Sequence, residues 1–388
     1  MAMRVLITTP GLVGHIHPMV PLARAIMARG HEVRWATTVD GVGHVDAAGI
    51  HGVSASSFVM DPAEVGRRFP ELGELAPPDV PEVMFSKVFG ALAAPPMLEG
   101  LVPLVQEWRP DLVVSDAGEL AGPIAAAERG VPNVTKGFGP ALPERRVALA
   151  AVEVAPLWRS RGLEPRPYGG CYDHLYLDPY PPALGVEPGD HIPHRQLVRP
   201  VSRTDRAETA AAETLPLPAG SVDVPIVYVT MGTVFNAVGP LLVVLGALAA
   251  LPVRVLVTVG PNGDPAALGE QPPNVRVERY VPQSEVLRHC ELVVSHAGSG
   301  TVLGTLALGM PQLCLPQGAD QFLNASAVAA AGAGLALTPA DATVEAVAHA
   351  VGRLLEDDSY RQAARQVAAS IESMPSVDDV AGVLETLV

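Results

Sequence analysis

Runs of aliphatic and β-branched residues recur along the chain, each followed by a turn and then by a stretch with helical spacing. RVLITT (4–9) opens the series. It is apolar on both faces, as a strand buried inside a parallel sheet requires. A glycine-containing turn (10–15) follows, then a helix over about 18–29 that ends at Gly30. HEVRWAT (31–37) and DLVVS (111–115) predict further strands, the second leading to a helix over about 121–129 closed by Gly130. A second series starts at PIVYVT (225–230) and continues with strands at 253–259, about 275–277, 291–295 and 312–315. Strand–helix alternation predicts doubly wound parallel sheets, an α/β fold. Residues 55–100 and 137–200 are richer in proline and less periodic, and read as loops and short helices outside the sheets. The stretch 200–222 lacks a strand period. Two domains are therefore expected, 1–205 and 206–373, with a last helix over about 378–387, within 374–388, packing back on the first.

Composition supports two packed cores and removes several function classes. The 388 residues are 48% apolar and only 17% charged, so the chain is neither disordered nor limited to one small core. The net charge is −15, from 26 basic against 41 acidic residues, which argues against nucleic acid as a partner. The stretch 238–260 carries one charge, Arg254, yet Pro252 and Arg254 divide it into a helix-like half and a strand-like half, so no membrane span is expected. The helix half looks apolar on every side, which would suit a homodimer contact. No leader-like segment precedes the first strand. Cys171, Cys290 and Cys314 show no metal-ligand spacing and read as free thiols of a cytoplasmic protein.

The densest chemistry lies at 291–321. HAGSGT (296–301) follows a buried strand directly and leads into a helix. Gly298 and Gly300 allow close backbone approach, the free N–H groups of a helix start favour an anion, and His296, Ser299 and Thr301 add side-chain donors. That composition suits a diphosphate; a bare glycine turn is the plain alternative. Twenty residues on, GMPQLCLP (309–316) delivers Asp320 and Gln321 to a strand end, where they would either grip vicinal hydroxyls or, for Asp320, cap the next helix. TMGT (230–233) brings Gly232 and Thr233 to another strand end. In RYVPQ (279–283), Tyr280 could stack on a base and the Val281 backbone could read a pyrimidine edge.

Together HAGSGT, GMPQLCLPQGADQ, TMGT and YVPQ resemble the donor site of nucleotide-sugar glycosyltransferases of the GT-B fold. The chain is most similar to the bacterial natural-product group that decorates macrolides, aromatic polyketides, enediynes and glycopeptides. LDPYPPALG (177–185), LVRPV (197–201) and MPSVDDVAGVLETL (374–387) extend the resemblance over nearly the whole chain. It implies two Rossmann-like domains facing a central cleft. It also implies that His296, Gly298, Ser299, Gly300, Thr301 and Thr233 hold the diphosphate, that Asp320 and Gln321 bind sugar hydroxyls, and that Tyr280, Val281 and Gln283 frame base and ribose. Relatives often carry His where Ser295 stands, Gly where Ala297 stands and Trp in place of Tyr280.

GHIHP (14–18) places His15 and His17 after the first strand. An imidazole suits a general base for an acceptor hydroxyl, and Asp116 in VVSDAG (113–118) could orient it. The resemblance assigns the same roles to His15 and Asp116 and none to His17. The expected reaction is inverting transfer of a sugar from a TDP- or UDP-sugar to a hydrophobic natural product, with no metal or other cofactor. Asp357–Asp358 and Asp378–Asp379 read as helix-end features, not as a metal pair. A sugar-nucleotide epimerase or a non-catalytic sugar-nucleotide-binding protein would share the donor site without needing the base. A dinucleotide oxidoreductase lacks its G-x-G-x-x-G. Met84, Phe85, Phe89 and Met97 are candidates for an acceptor pocket or for ordinary core.

Overall fold

The computed structural model describes residues 2–75, 79–201, 215–221, 223–232, 238–261 and 263–388. The chain forms two compact units. Unit 1 comprises Met1–Pro179, Glu187–Arg199 and Pro375–Val388; unit 2 comprises Tyr180–Val186 and Pro200–Met374. The segment Tyr180–Val186 thus belongs with the second unit although the chain returns to the first at Glu187.

Unit 1 is built on a parallel sheet of β1 (Arg4–Thr8), β2 (Glu32–Thr38), β3 (His51–Ser56), β4 (Leu112–Asp116), β5 (Asn133–Lys136), β6 (Leu175–Asp178) and β7 (Arg195–Leu197), in the order β3-β2-β1-β4-β5-β6-β7. Unit 2 repeats the winding with β8 (Ile226–Thr230), β9 (Arg254–Thr258), β10 (Val275–Glu278), β11 (Leu292–Ser295), β12 (Gln312–Cys314) and β13 (Gly334–Ala336), in the order β10-β9-β8-β11-β12-β13. These are Rossmann-like sheets, and in each the strand order reverses beside the first strand, between β1 and β4 and between β8 and β11. The central strands are buried end to end, which is why their sequences read as unbroken apolar runs.

Several expectations for the proline-rich regions are corrected. Residues 137–200 contribute β6 and β7 to the sheet and a helix, Glu144–Ser160. Residues 80–108 form one helical run: Val80–Phe85, a π-helical stretch Ser86–Ala93, and Ala94–Trp108. Pro81 sits in its first turn, where no N–H is needed, Pro95 and Pro96 follow directly on the π-helical stretch, and Pro103 lies inside the last segment. Among the described residues, this run alone is long and apolar enough to cross a membrane by length and composition. Its Met97, Leu98, Leu101, Val105 and Trp108 are buried in the core of unit 1, the place of an ordinary core helix.

The 238–260 stretch divides into the helix Val238–Leu248 and strand β9, each too short to span a bilayer. Leu241, Val244, Leu245, Ala247 and Leu248 are buried, which accounts for most of the helix's apolarity. Of its large apolar side chains whose burial is described, Leu242 is the exposed one, at 48%. The C-terminal helix Val377–Leu384 opens with a capping box between Ser376 and Asp379. Its Val380, Ala381 and Leu384 share one apolar cluster with Val5, Ile7, Leu22 and Ile26, which ties the chain end into unit 1. Asp357 caps the helix Asp358–Ser373, a helix-end role like that of Asp379.

Candidate active site

His15 and Asp116 in unit 1, and Gly232 and the 296–301 loop in unit 2, stand at the carboxyl ends of the strands flanking the reversal of strand order, whereas Asp320 and Gln321 follow β12, and Tyr280, Val281 and Gln283 follow the edge strand β10. Open α/β sheets hold ligands there because helix starts and loops converge while the strands themselves stay packed.

In unit 1 the chain leaves β1 and turns into a short helix, Val13–Ile16, with His15 in its last turn and His17 starting a one-turn 3₁₀ helix ahead of Val20–Ala28. Helical structure therefore begins earlier than the expected 18. Asp116 is the last residue of β4 and is 1% exposed. The His15 Nδ1 lies 2.7 Å from Asp116 Oδ1, and the Gly118 backbone N–H donates to the same oxygen at 2.7 Å. With its Nδ1 proton given to the carboxylate, a neutral imidazole carries its lone pair on Nε2, the tautomer a general base requires. Gly118 leaves room for this pair, since a Cβ there would stand 3.0 Å from His15 Cε1. The His15 ring packs 4.5 Å from Phe138 and 5.8 Å from Phe89, and Phe89 lies 5.0 Å from Phe85 (centroid distances). His17 lies edge-on to His44 at 6.1 Å, away from this carboxylate pairing.

In unit 2 the loop after β11 reaches the helix Ser299–Ala307 through Ala297, whose φ is +65°, and Gly298 at the N-cap. No side chain caps that helix, and an unpaired helix start carries partial positive charge. Ser299, Gly300 and Thr301 form its first turn. The His296 ring fits between two glycines: a Cβ would come within 2.6 Å of it at Gly232 and 2.5 Å at Gly298. Its Nδ1 is buried and has no partner among the described residues. Burial lowers the His296 pKa below the usual imidazole value, against the opposing pull of Asp320. Thr233 lies outside the described residues.

Asp320 does not cap its helix, Gln321–Ala330. Its Oδ2 instead accepts from Ser299 Oγ at 2.5 Å and from Asn324 Nδ2 at 3.0 Å. Asn324 Nδ2 also lies 2.9 Å from the Ala297 carbonyl and 2.9 Å from Ser299 Oγ, and Tyr180 O–H donates to Asn324 Oδ1 at 3.1 Å. Gln321 is buried, and its Oε1 accepts from the backbone N–H groups of Gln317 and Gly318 at 2.7 and 3.1 Å. That oxygen holds the loop and is not available to a sugar hydroxyl. Past β10, Tyr280 is 49% exposed, Val281 packs with Tyr228 and Val293, and Gln283 Nε2 is buried without a partner among the described residues.

Comparison with known proteins decides the family. Residues 242–387 match the C-terminal domain, and residues 80–189 the N-terminal domain, of the family described as erythromycin biosynthesis protein CIII-like. The chain is 35% identical to the elloramycin glycosyltransferase ElmGT of Streptomyces olivaceus, over 99% of this chain and 97% of that protein. The crystal structure of the glycosyltransferase SnogD from Streptomyces nogalater superposes with a TM-score of 0.78 at 31% identity, covering 100% of this chain and 99% of that one. Spinosyn rhamnosyltransferase SpnG, solved with thymidine diphosphate, gives 0.81 at 28% identity, covering 99% and 100%. The chain belongs to the erythromycin biosynthesis protein CIII-like glycosyltransferases. It is an enzyme that uses a nucleotide-sugar donor, and its fold is GT-B.

Three residues of this glycosyltransferase's candidate site escaped the sequence reading. Asn324 follows Asp320 by four positions, so the two share a helix face, and that spacing could have flagged it. Tyr180 reaches the same network from the distant segment Tyr180–Val186, and no local pattern announces the contact. Phe138, in KGFGP, gave no periodic signal at all. Of the acceptor candidates, Phe85 and Met97 are buried in the core, whereas Phe89 is half-buried beside His15.

Proposed function

We propose that the enzyme transfers a sugar by single displacement with inversion, from a TDP- or UDP-sugar to a hydroxyl on a hydrophobic natural product. The acceptor oxygen attacks the anomeric carbon while the bond from that carbon to the diphosphate oxygen breaks. The acceptor proton passes to His15 Nε2, and Asp116 orients the ring and stabilises the imidazolium. The observation that carries this reading is the buried carboxylate 2.7 Å from His15 Nδ1, reinforced by the Gly118 N–H. Phe89 and Phe138 supply an apolar aromatic surface beside the base, suited to a bulky acceptor.

Negative charge builds on the leaving nucleoside diphosphate. The uncapped helix start at Ser299, Gly300 and Thr301, with His296, is assigned to that charge; Gly298 allows the close approach, and Thr233 is assigned a further contact. Asp320 is assigned to sugar hydroxyls through the oxygen not already taken by Ser299 and Asn324. Gln321 keeps a donor role only through Nε2. Tyr280, Val281 and Gln283 are assigned to base and ribose. The neighbour SpnG, solved with thymidine diphosphate and with a spinosyn aglycone, supports a thymidine nucleotide and an apolar acceptor. These groups stabilise the leaving charge without a cation, so metal independence is part of the proposal, as is a cytoplasmic setting for the unbridged cysteines.

The test is a panel of TDP- and UDP-sugars against hydroxylated polycyclic and macrolide acceptors, read by mass with and without chelator. On an active pair, His15→Ala is expected to lower kcat/KM by about 10³-fold or more and leave TDP affinity unchanged. Retained turnover in that variant overturns the base assignment, and activity lost to chelator and restored by magnesium overturns metal independence.

A further inference from the structure

Lys136 ends β5 and is 4% exposed. In the parallel register it stands opposite Asp116 on β4. Its Nζ donates to the Gly137 carbonyl at 3.2 Å. On its other side β6 ends in Asp178, 1% exposed, which accepts from Arg195 Nε of β7 at 2.8 Å. Four neighbouring strands thus carry Asp116, Lys136, Asp178 and Arg195, alternating in sign. Glu119, buried in the turn after β4, and the buried side chains of Tyr176, Tyr172 and Cys171 are further titratable groups nearby. Burial lowers the Lys136 pKa to about 8, while Asp116 and Asp178 pull it back up, so the ammonium persists at neutral pH. Buried charge costs free energy and persists where it is balanced. Both carboxylates act on the Lys136 charge, Asp116 more than Asp178, and Asp178 is also answered by Arg195.

We propose that Lys136 is a positioning residue for sugar transfer: from the strand beside Asp116, its ammonium lowers the proton affinity of the His15–Asp116 pair. A carboxylate touching an imidazole favours the imidazolium, and a protonated base cannot accept the acceptor's proton. The buried cation opposes that pull and keeps His15 neutral in the pH range of the reaction. This inference rests on the reading of His15 as general base.

Two measurements on the full chain test it: the pH dependence of kcat/KM for the acceptor, and the NMR titration of the His15 ring, assigned by comparison with His15→Gln. In Lys136→Met the acid limb and the His15 midpoint are expected to rise together by about half a unit to one unit. Lys136→Arg, which keeps the charge, is expected to restore both. An unmoved limb and midpoint in Lys136→Met, or a Lys136→Arg protein that behaves like it, overturns the inference. If Lys136→Met does not fold, the unmutated protein decides: its His15 resonance should show a second inflection near pH 8 as Lys136 loses its proton, and a flat curve there overturns the coupling. Transfer lost in His15→Ala with an unmoved limb in Lys136→Met refutes this inference alone. Transfer kept in His15→Ala refutes the base assignment, and the ring titration still reads the coupling by itself.

Discussion

The two units wind their sheets in the same order and place polar groups at the same reversal of that order, yet they use the position in opposite ways. In unit 1 the strand ends present side chains, His15 and Asp116, and the backbone serves them: the Gly118 N–H fixes the carboxylate. In unit 2 a helix start without a side-chain cap is the proposed anion site, and the side chains serve the backbone: Asn324 and Gln321 spend their hydrogen bonds holding loops in place. The contrast follows from the tasks proposed for each. A proton must go to one atom of defined basicity, whereas a diphosphate spreads its charge over many oxygens and is met best by several fixed donors.

The contrast yields graded expectations below the near-complete loss in His15→Ala. His296→Ala removes one donor among several, so kcat is expected to fall by about 10²-fold. A loss equal to that of His15→Ala, measured side by side, would break the contrast, because one side chain would then dominate unit 2 as well. Asn324→Ala frees Ser299, Asp320 and the Ala297 carbonyl from their common partner. The donor KM is expected to rise by about 10-fold, at the cost of one buried hydrogen-bonding group, while the acceptor KM stays constant. Equal rises in both KM values would show a general loss of structure. The smallest effect is expected at Ala297, held at φ +65° where glycine is at ease. Ala297→Gly relieves roughly 1 kcal/mol of strain, partly offset by the freer unfolded chain, and should raise Tm by at most about 2–4 °C. A lower Tm would show that the methyl group packs usefully.

The legible part of this molecule was the part built from apolar runs and helix starts. β1, β4, β8 and β11 announced themselves because both faces of each are buried. β5 did not, because NVTK buries Asn133, Thr135 and Lys136, and a fully buried lysine runs against every hydropathy pattern. β6, β7 and β13 are only three or four residues long, too short to show a period. At the candidate site, the placement of His15, Asp116 and the HAGSGT loop at strand ends was legible because each follows or closes a buried apolar run. The loop-holding bonds of Gln321 were not legible: its residue type suits a hydroxyl, and nothing local in the sequence shows that its oxygen accepts from the Gln317 and Gly318 backbone. The π-helical stretch Ser86–Ala93, which carries Phe89, had no signature in a sequence otherwise consistent with ordinary helix.

Tyr180–Val186 gives the architecture a practical meaning for recombination. A chimera that exchanges unit 2 between relatives would naturally cross over after Arg199, where the chain passes from unit 1 to unit 2. A single cut there would graft a new Asn324 onto an old Tyr180, two partners drawn from different parents across a buried hydrogen bond. Inheritance of unit 2 is therefore discontinuous. A faithful hybrid must carry seven residues, Tyr180–Val186, from upstream of the splice, and a library that ignores them breaks its own buried contacts.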